Sequence, residues 1–466
     1  MSSQARHLNA FLLTMICIAT VLTIRTWPMN AEYGLGSLAF LLVAALMFLI
    51  PTALISAELA TGWPQRGGIY AWVKEAFGER VGFAAAWFVW ISNVVWYPTI
   101  LSFVAVSLAY SIAPQLSQNA LFLFTLIFSS FWIMILMNMK GMKLSGWMSS
   151  LCLLCGTMIP AGLIIGLGIS WIAKGLPVEI PLSLKGFIPK ISSIGDLVFF
   201  AGLLVGFSGM EMPAVHVNDV KSPKTTYPKA IFIASSVIIV LSLFGTLAVS
   251  VVIPKEKINL ATASLETLCI LLKGFHLDAL APFVSFLVAI GALGAVSTWI
   301  PGPSRSLLVA VEASALPKTF YQVNQHDMPT SIFLIQGIIV SILSFAFLVM
   351  PSIESAFWML TVWAAQLYLI AYSLLFLTGI ILRYKHKDVV RTYRISQGNL
   401  GMWIVSSVGL VSALFAIMIG FIPPKQLDVG QPLMYVSLII LGMFLFALPP
   451  FLIKQKAKTF RTSQVG

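Results

Sequence analysis

Apolar runs of about 20 residues recur along almost the whole chain, at roughly 10–28, 36–58, 82–112, 120–139, 146–172, 195–217, 229–253, 279–302, 331–350, 355–383, 401–421 and 432–453. A helix of that length rises about 30 Å, the thickness of a bilayer's hydrocarbon core. In hydrocarbon, only helices and closed barrels satisfy their own backbone. Barrel strands alternate in polarity every second residue, whereas Leu38–Leu54 is apolar on every side, so the spans are helical. Composition agrees. Charged residues make up 9% of the chain against about a quarter in a soluble domain, and mean hydropathy is +0.95. The expected fold is an all-α polytopic bundle of about twelve transmembrane helices.

Charge position gives the orientation. The net charge of +12 does not point to nucleic acid, because the 28 Lys and Arg gather in alternate connections. With the N-terminus inside, 20 fall in inner connections and tails, 7 in outer ones, and Arg25 alone in a span. Basic residues favour the cytoplasmic side, so both termini are expected there, and an odd number of helices would spoil the split. The inner segments Arg66–Trp72 and around Arg305 carry glycines and prolines that permit a re-entrant or hairpin path. No cleavable signal peptide is expected, since the run from Ala10 has no small-residue cleavage site after it. Between spans, Leu260–Leu272 reads as a short helix at the outer surface.

Little in the chain suggests catalysis. Cys152 and Cys155 form a lone CxxC inside an apolar run without further ligands, which favours packing over metal or redox work. The five histidines are scattered singly. Neither a phosphate-binding GxxxxGK[ST] loop nor an intramembrane His/Glu/His set is present, against a primary pump or a membrane protease. No enzyme activity, cofactor or metal is expected.

Function in such a bundle lies where helices break, because freed backbone groups are tolerated in a membrane only beside a cavity. The sixth span carries Gly206-Phe207-Ser208-Gly209-Met210-Glu211-Met212-Pro213, with two glycines, a proline and a carboxylate in one apolar run. A kinked helix with a satisfied polar group would account for it. An intramembrane carboxylate nonetheless points first to function, and Glu211 is assigned to gating or coupling. In the first span Ala19-Thr20-Val21 gives a weaker break signal. Arg25 lies 15 residues beyond Ala10, about 22 Å along a continuous helix, in the outer third of the bilayer. It either snorkels to the interface as an anchor or faces an outer vestibule and attracts a carboxylate.

The inner segment Ala57-Glu58-Leu59-Ala60-Thr61-Gly62-Trp63-Pro64-Gln65-Arg66-Gly67-Gly68-Ile69-Tyr70-Ala71-Trp72 closely resembles a signature of amino acid–polyamine–organocation transporters. The resemblance continues through Gly209-Met210-Glu211, His216-Val217-Asn218-Asp219, Trp299-Ile300-Pro301-Gly302-Pro303 and Tyr368-Leu369-Ile370-Ala371-Tyr372, over nearly the full chain. The later motifs look most like the bacterial glutamate/GABA antiporter branch.

The fold this resemblance implies is a LeuT-like core of two inverted five-helix repeats plus two extra helices, all in one transmembrane domain over 1–466. Residues 10–217 would hold the first repeat and the start of the second, 195–383 the second repeat, and 401–453 the extra helices. It also implies a substrate site between Ala19, Thr20 and Val21 in the first span and Phe207, Ser208, Gly209 and Met210 in the sixth, shaped by the aromatics Trp299, Tyr368 and Tyr372.

Two departures keep glutamate/GABA exchange from being carried over. Ala295 stands where the branch pattern has a carboxylate, and Arg25 stands where it has an aromatic ring. The branch's C-terminal tail is not expected either, since only residues 454–466 follow the last span.

The expected function is secondary transport of an amino acid or its decarboxylated amine across the bacterial inner membrane, by exchange with alternating access. An ion-coupled symporter of another solute and a receptor or scaffold that has lost transport remain alternatives on the same fold. The expected partners are the small-molecule substrate and the lipid bilayer, and a homodimer is compatible with such a bundle.

Overall fold

The computed structural model describes residues 9–64, 67–141, 151–181, 183–189, 191, 193–214, 220, 222–424 and 431–453. Among these residues, eleven helices are long and apolar enough to cross a membrane, and the shorter Ile194–Gly206 accompanies a broken sixth span. The protein is therefore an all-α, multi-pass membrane bundle of about twelve spans. Gln65, Arg66 and His216–Asp219 lie outside the described residues.

Helix α1 (Ala10–Val21) starts at Asn9, whose side chain accepts the Leu12 amide and caps an otherwise orphaned donor. It does not run through its span. Leu22 and Thr23 are extended, with ψ of 123° and 134°, before a 3₁₀ turn (Ile24–Thr26) and α2 (Trp27–Ala31). The expected break at Ala19–Val21 is thus displaced. Those residues form the last turn of α1, and the chain leaves the helix at Leu22–Thr23. Thr23 supplies the local reason: its hydroxyl accepts the Arg25 amide at 3.3 Å, giving the backbone a partner outside the helical ladder. The 22 Å estimate for Arg25 assumed a continuous helix, so it no longer holds.

The chain then forms α3 (Gly34–Gly62), α4 (Ile69–Phe77), α5 (Glu79–Ile112), α6 (Ala120–Met139) and α7 (Leu151–Ala173). After α8 (Val198–Gly206) the sixth span breaks, and α9 (Pro223–Val252) returns. The rest comprises α10 (Ala263–Gly274), α11 (Ala281–Trp299), α12 (Pro301–Glu312), α13 (Thr330–Val349), α14 (Ile353–Lys385), α15 (Leu400–Ile419) and α16 (Pro432–Leu452). Helices α5 and α14 pack on each other at the centre and are the most enclosed of the spans. Where α7 meets α11, Gly156 lies against Gly291, and a Cβ on Gly156 would come 2.2 Å from the Gly291 nitrogen. Only glycine lets the two backbones meet, which is how lipid-embedded helices gain contact without a hydrophobic drive between them.

One surface expectation is corrected. The helix sought at Leu260–Leu272 exists as α10, but it buries Leu265, Leu268, Leu271 and Leu272 against α7 and α9. Its apolar stripe makes it part of the core.

At the face where α3 and α14 end, Glu58 receives a two-pronged bond from Arg383, Nε to Oε1 at 2.6 Å and Nη2 to Oε2 at 2.7 Å. Arg391 lies 3.5 Å from the same carboxylate and 4.9 Å over the Trp63 ring. The remaining guanidinium protons go to carbonyls, those of Ser396 and Gly398 from Arg383 and those of Leu382 and His386 from Arg391. Arg383→Ala strands a buried carboxylate and should cost about 3–5 kcal/mol. Glu58→Gln with Arg383→Gln should cost less than the sum of the two single changes. Thermal melting of the purified variants measures both; additive losses would mean the pair is not coupled.

At the other face, Glu32 is buried between α2 and α3, with Oε2 lacking any hydrogen-bond partner. Burial pushes its carboxyl up from 4.5 to about 7; Lys255 opposes this, while Glu354 and Glu256 add to it. The folded chain thus holds this proton more tightly than the unfolded chain. The resulting stability is fully present below pH 4.5 and is lost as pH rises through about 7. Melting temperature should fall between pH 5 and 8, and Glu32→Gln should flatten that slope; a slope identical to wild type would remove Glu32 as its source.

Candidate functional site

The two breaks meet. Gly209 has φ +117°, in the region that favours glycine, and a Cβ there would come 2.6 Å from the Thr20 carbonyl oxygen and 3.1 Å from the Trp299 ring. Helix α1 thus ends against the point where the sixth span changes direction. The last carbonyls of α1 and α8 have no further turn of helix to accept from. Ser208 bonds one of them through both its amide and its hydroxyl, at 2.9 and 2.6 Å from the Val205 oxygen. In the last turn of α1 the Thr20 hydroxyl donates to the Cys17 carbonyl at 2.9 Å.

Beside the breaks lies a cavity of about 170 Å³. Pockets for drug-sized ligands run to about 300–1,000 Å³, so this one fits a smaller molecule, on the scale of an amino acid. Of the residues singled out in the sequence, Ala19, Thr20, Val21, Arg25, Gly206, Ser208, Ala295, Trp299 and Tyr368 line it. Phe207, Gly209, Met210, Glu211 and Tyr372 do not. Phe207 turns to the far side of the break, toward Ile238 and Ser242. Met210 is fully enclosed, and Gly209 serves through its backbone.

Glu211 sits behind the wall, buried, with a Tyr368 hydroxyl donating to one carboxylate oxygen and a Tyr372 hydroxyl to the other. The Tyr372 hydroxyl also accepts the Gly209 amide at 2.6 Å, so one side chain joins the broken backbone to the carboxylate. The tyrosines belong to a column of rings. Trp96 to Trp299 is 6.0 Å between centroids, Trp299 to Tyr368 is 6.3 Å, Tyr368 to Tyr372 is 4.8 Å and Tyr372 to Phe48 is 4.9 Å. Tilted and edge-on rings at such spacing attract beyond their buried area. The column forms the cavity floor and separates it from Glu211.

Several lining residues escaped the sequence reading: Ser92, Asn93 and Trp96 of α5, Phe357, Thr361 and Gln366 of α14, and Ala416 of α15 with Gly420 beyond it. The Ser92-Asn93 pair was a usable signal, being polar in an otherwise apolar span. Helix α15 had none, since its contribution is two small residues. It is brought to the wall by Gln366, whose amide donates to the Ile417 carbonyl at 2.9 Å.

A profile of the family described as amino acid permease matches residues 8–445. The chain is 38% identical to an uncharacterized transporter of Legionella pneumophila, over 98% of each chain. It is 30% identical to a glutamate/gamma-aminobutyrate antiporter of Lactococcus lactis, covering 96% of this chain and 90% of that one. A probable agmatine/putrescine antiporter of Lactococcus lactis is 22% identical over 88% and 87%.

Gly209→Ala should abolish transport in proteoliposomes, because the added methyl meets the Thr20 carbonyl and the backbone resists the required φ. Undiminished transport by a folded Gly209→Ala protein would mean that the breaks need not meet.

Proposed function

The chain belongs to the amino acid permease family, and from that premise we propose that it carries an amino acid or its decarboxylated amine across the bacterial inner membrane by exchange. The observation that carries this reading is the meeting of two broken helices beside a cavity of amino-acid size. The carbonyl ends of α1 and α8 suit an ammonium group, and amides that restart after a break suit a carboxylate. In this reading Thr20 and Ser208 border the substrate's backbone, while Trp299 and Tyr368 form the floor on which it rests.

Alternating access follows from what closes each side. The aromatic column and Glu211 seal the cavity toward the face where Glu58, Arg383 and Arg391 tie α3 to α14 and the loop beyond it. The clustering of Lys and Arg in alternate connections supports assigning that face, and both termini, to the cytoplasm. Opening inward then requires Tyr368 and Tyr372 to release Glu211, which couples movement of α14 to the break through the Gly209 amide.

The deciding experiment is uptake of labelled amino acids and amines into proteoliposomes loaded with unlabelled counter-substrate, with empty or buffer-only vesicles as controls. Uptake that needs internal substrate and no imposed gradient is expected. Uptake driven by a proton or sodium gradient into empty vesicles would make the protein a symporter. Ligand binding without uptake would leave a receptor.

A further inference from the structure

Arg25 is the one charged residue among those lining the cavity. It is 8% exposed, just past the break in the first span. Its guanidinium makes cation–π contacts with two rings, 5.9 Å from the Trp96 centroid and 5.2 Å from that of Phe357. Among the described residues it makes no ion pair and no side-chain hydrogen bond, and its Nε is buried without a partner. A snorkelling anchor would hold its charge in the interface; this one holds it inside the protein, against a void.

The contrast with the other buried arginines sharpens the point. Arg383 and Arg391 share the Glu58 carboxylate and donate to carbonyl oxygens. An uncompensated buried cation is costly, and ring faces offset only part of that cost. The ammonium and carboxylate of an amino-acid backbone cancel one another, so the backbone leaves the Arg25 charge unanswered. A second carboxylate on the substrate answers it.

We infer that Arg25 binds the side-chain carboxylate of the substrate, making this cavity selective for acidic amino acids of net charge −1 over neutral amino acids and cationic amines. This rests on the carrier reading above and narrows it. The polar neighbours support it: Thr23, Thr26, Asn93 and Gln366 line the same cavity without adding charge, and the buried Gln366 Oε1 has no partner. The rings of Trp96 and Phe357 lie beside the guanidinium, whose planar fork matches a carboxylate.

The test measures binding and transport separately. Purified wild type, Arg25→Gln and Arg25→Lys are titrated by thermal shift with glutamate, aspartate, glutamine, asparagine and putrescine, in chloride and in gluconate. Wild type is expected to prefer acidic over neutral amino acids. Arg25→Gln should weaken glutamate binding by about 10- to 100-fold, the span of one charge-assisted bond, and glutamine binding far less. Arg25→Lys should keep the preference at reduced affinity, which separates lost charge from lost folding.

Equal binding of acidic and neutral amino acids by wild type, or equal loss of both in Arg25→Gln, overturns the inference. So does a stabilisation that follows chloride alone. Counterflow into loaded vesicles tests the carrier reading independently. Counterflow that ignores side-chain charge sinks the inference alone, whereas selective binding without counterflow sinks the carrier and leaves the Arg25 assignment standing.

Discussion

Inside hydrocarbon, a peptide group released from its helix costs several kcal/mol unless something pairs with it. That constraint organises the centre of this protein. The sixth span breaks at Phe207–Ser208, and two of its freed groups are paired at once: the Ser208 hydroxyl donates to the Val205 carbonyl, and the Gly209 amide donates to Tyr372. The claimants are themselves buried and need partners, which leads to Glu211, then Tyr368, then the rings stacked beyond it. One break therefore recruits residues from α8 and α14 into a single polar unit in an apolar bundle, with Trp299 of α11 packed against it. The first span breaks more cheaply, because Thr23 answers the Arg25 amide locally.

How much of this was legible beforehand follows from the range of each interaction. Span number and the break at Gly206–Glu211 could be read because they depend on runs of neighbouring residues. The break in the first span was placed a turn early: no glycine marks it, and the deciding bond is the modest one from Arg25 to the Thr23 hydroxyl. The Glu58–Arg383 pair was beyond reach for a different reason. Its partners stand 325 residues apart, and nothing near Glu58 says which cation will find it. The same holds for Trp96 and Phe357, whose place around Arg25 depends on α5 and α14 crossing beside the broken helix. Local chemistry thus announced where the bundle would be interrupted, and only packing revealed what gathers there.

Three of the buried ionisable groups are treated in three different ways. Glu58 is saturated by two arginines and a backbone amide from Ile395. Glu211 receives two neutral tyrosine hydroxyls and, among the described residues, no ion pair. Arg25 is given aromatic faces and a void. The first suits a joint that must stay shut until many bonds yield together. The second suits a group that has to part from its partners within a cycle. In the proposed reading, the third suits a cation whose counter-charge comes with an anionic substrate.

The cavity wall is completed by Ala416 and Gly420, at the end of α15, held there by Gln366 and by Tyr435, whose hydroxyl donates to the Gly420 carbonyl at 3.3 Å. In the proposed reading the broken helices and Arg25 hold the substrate, while α15 bounds the room beside them. Substitutions along α15 can retune what is admitted without disturbing the machinery that moves it. A version cut back before α15 would keep Arg25 and both breaks, and lose only the part of the wall that Ala416 and Gly420 form.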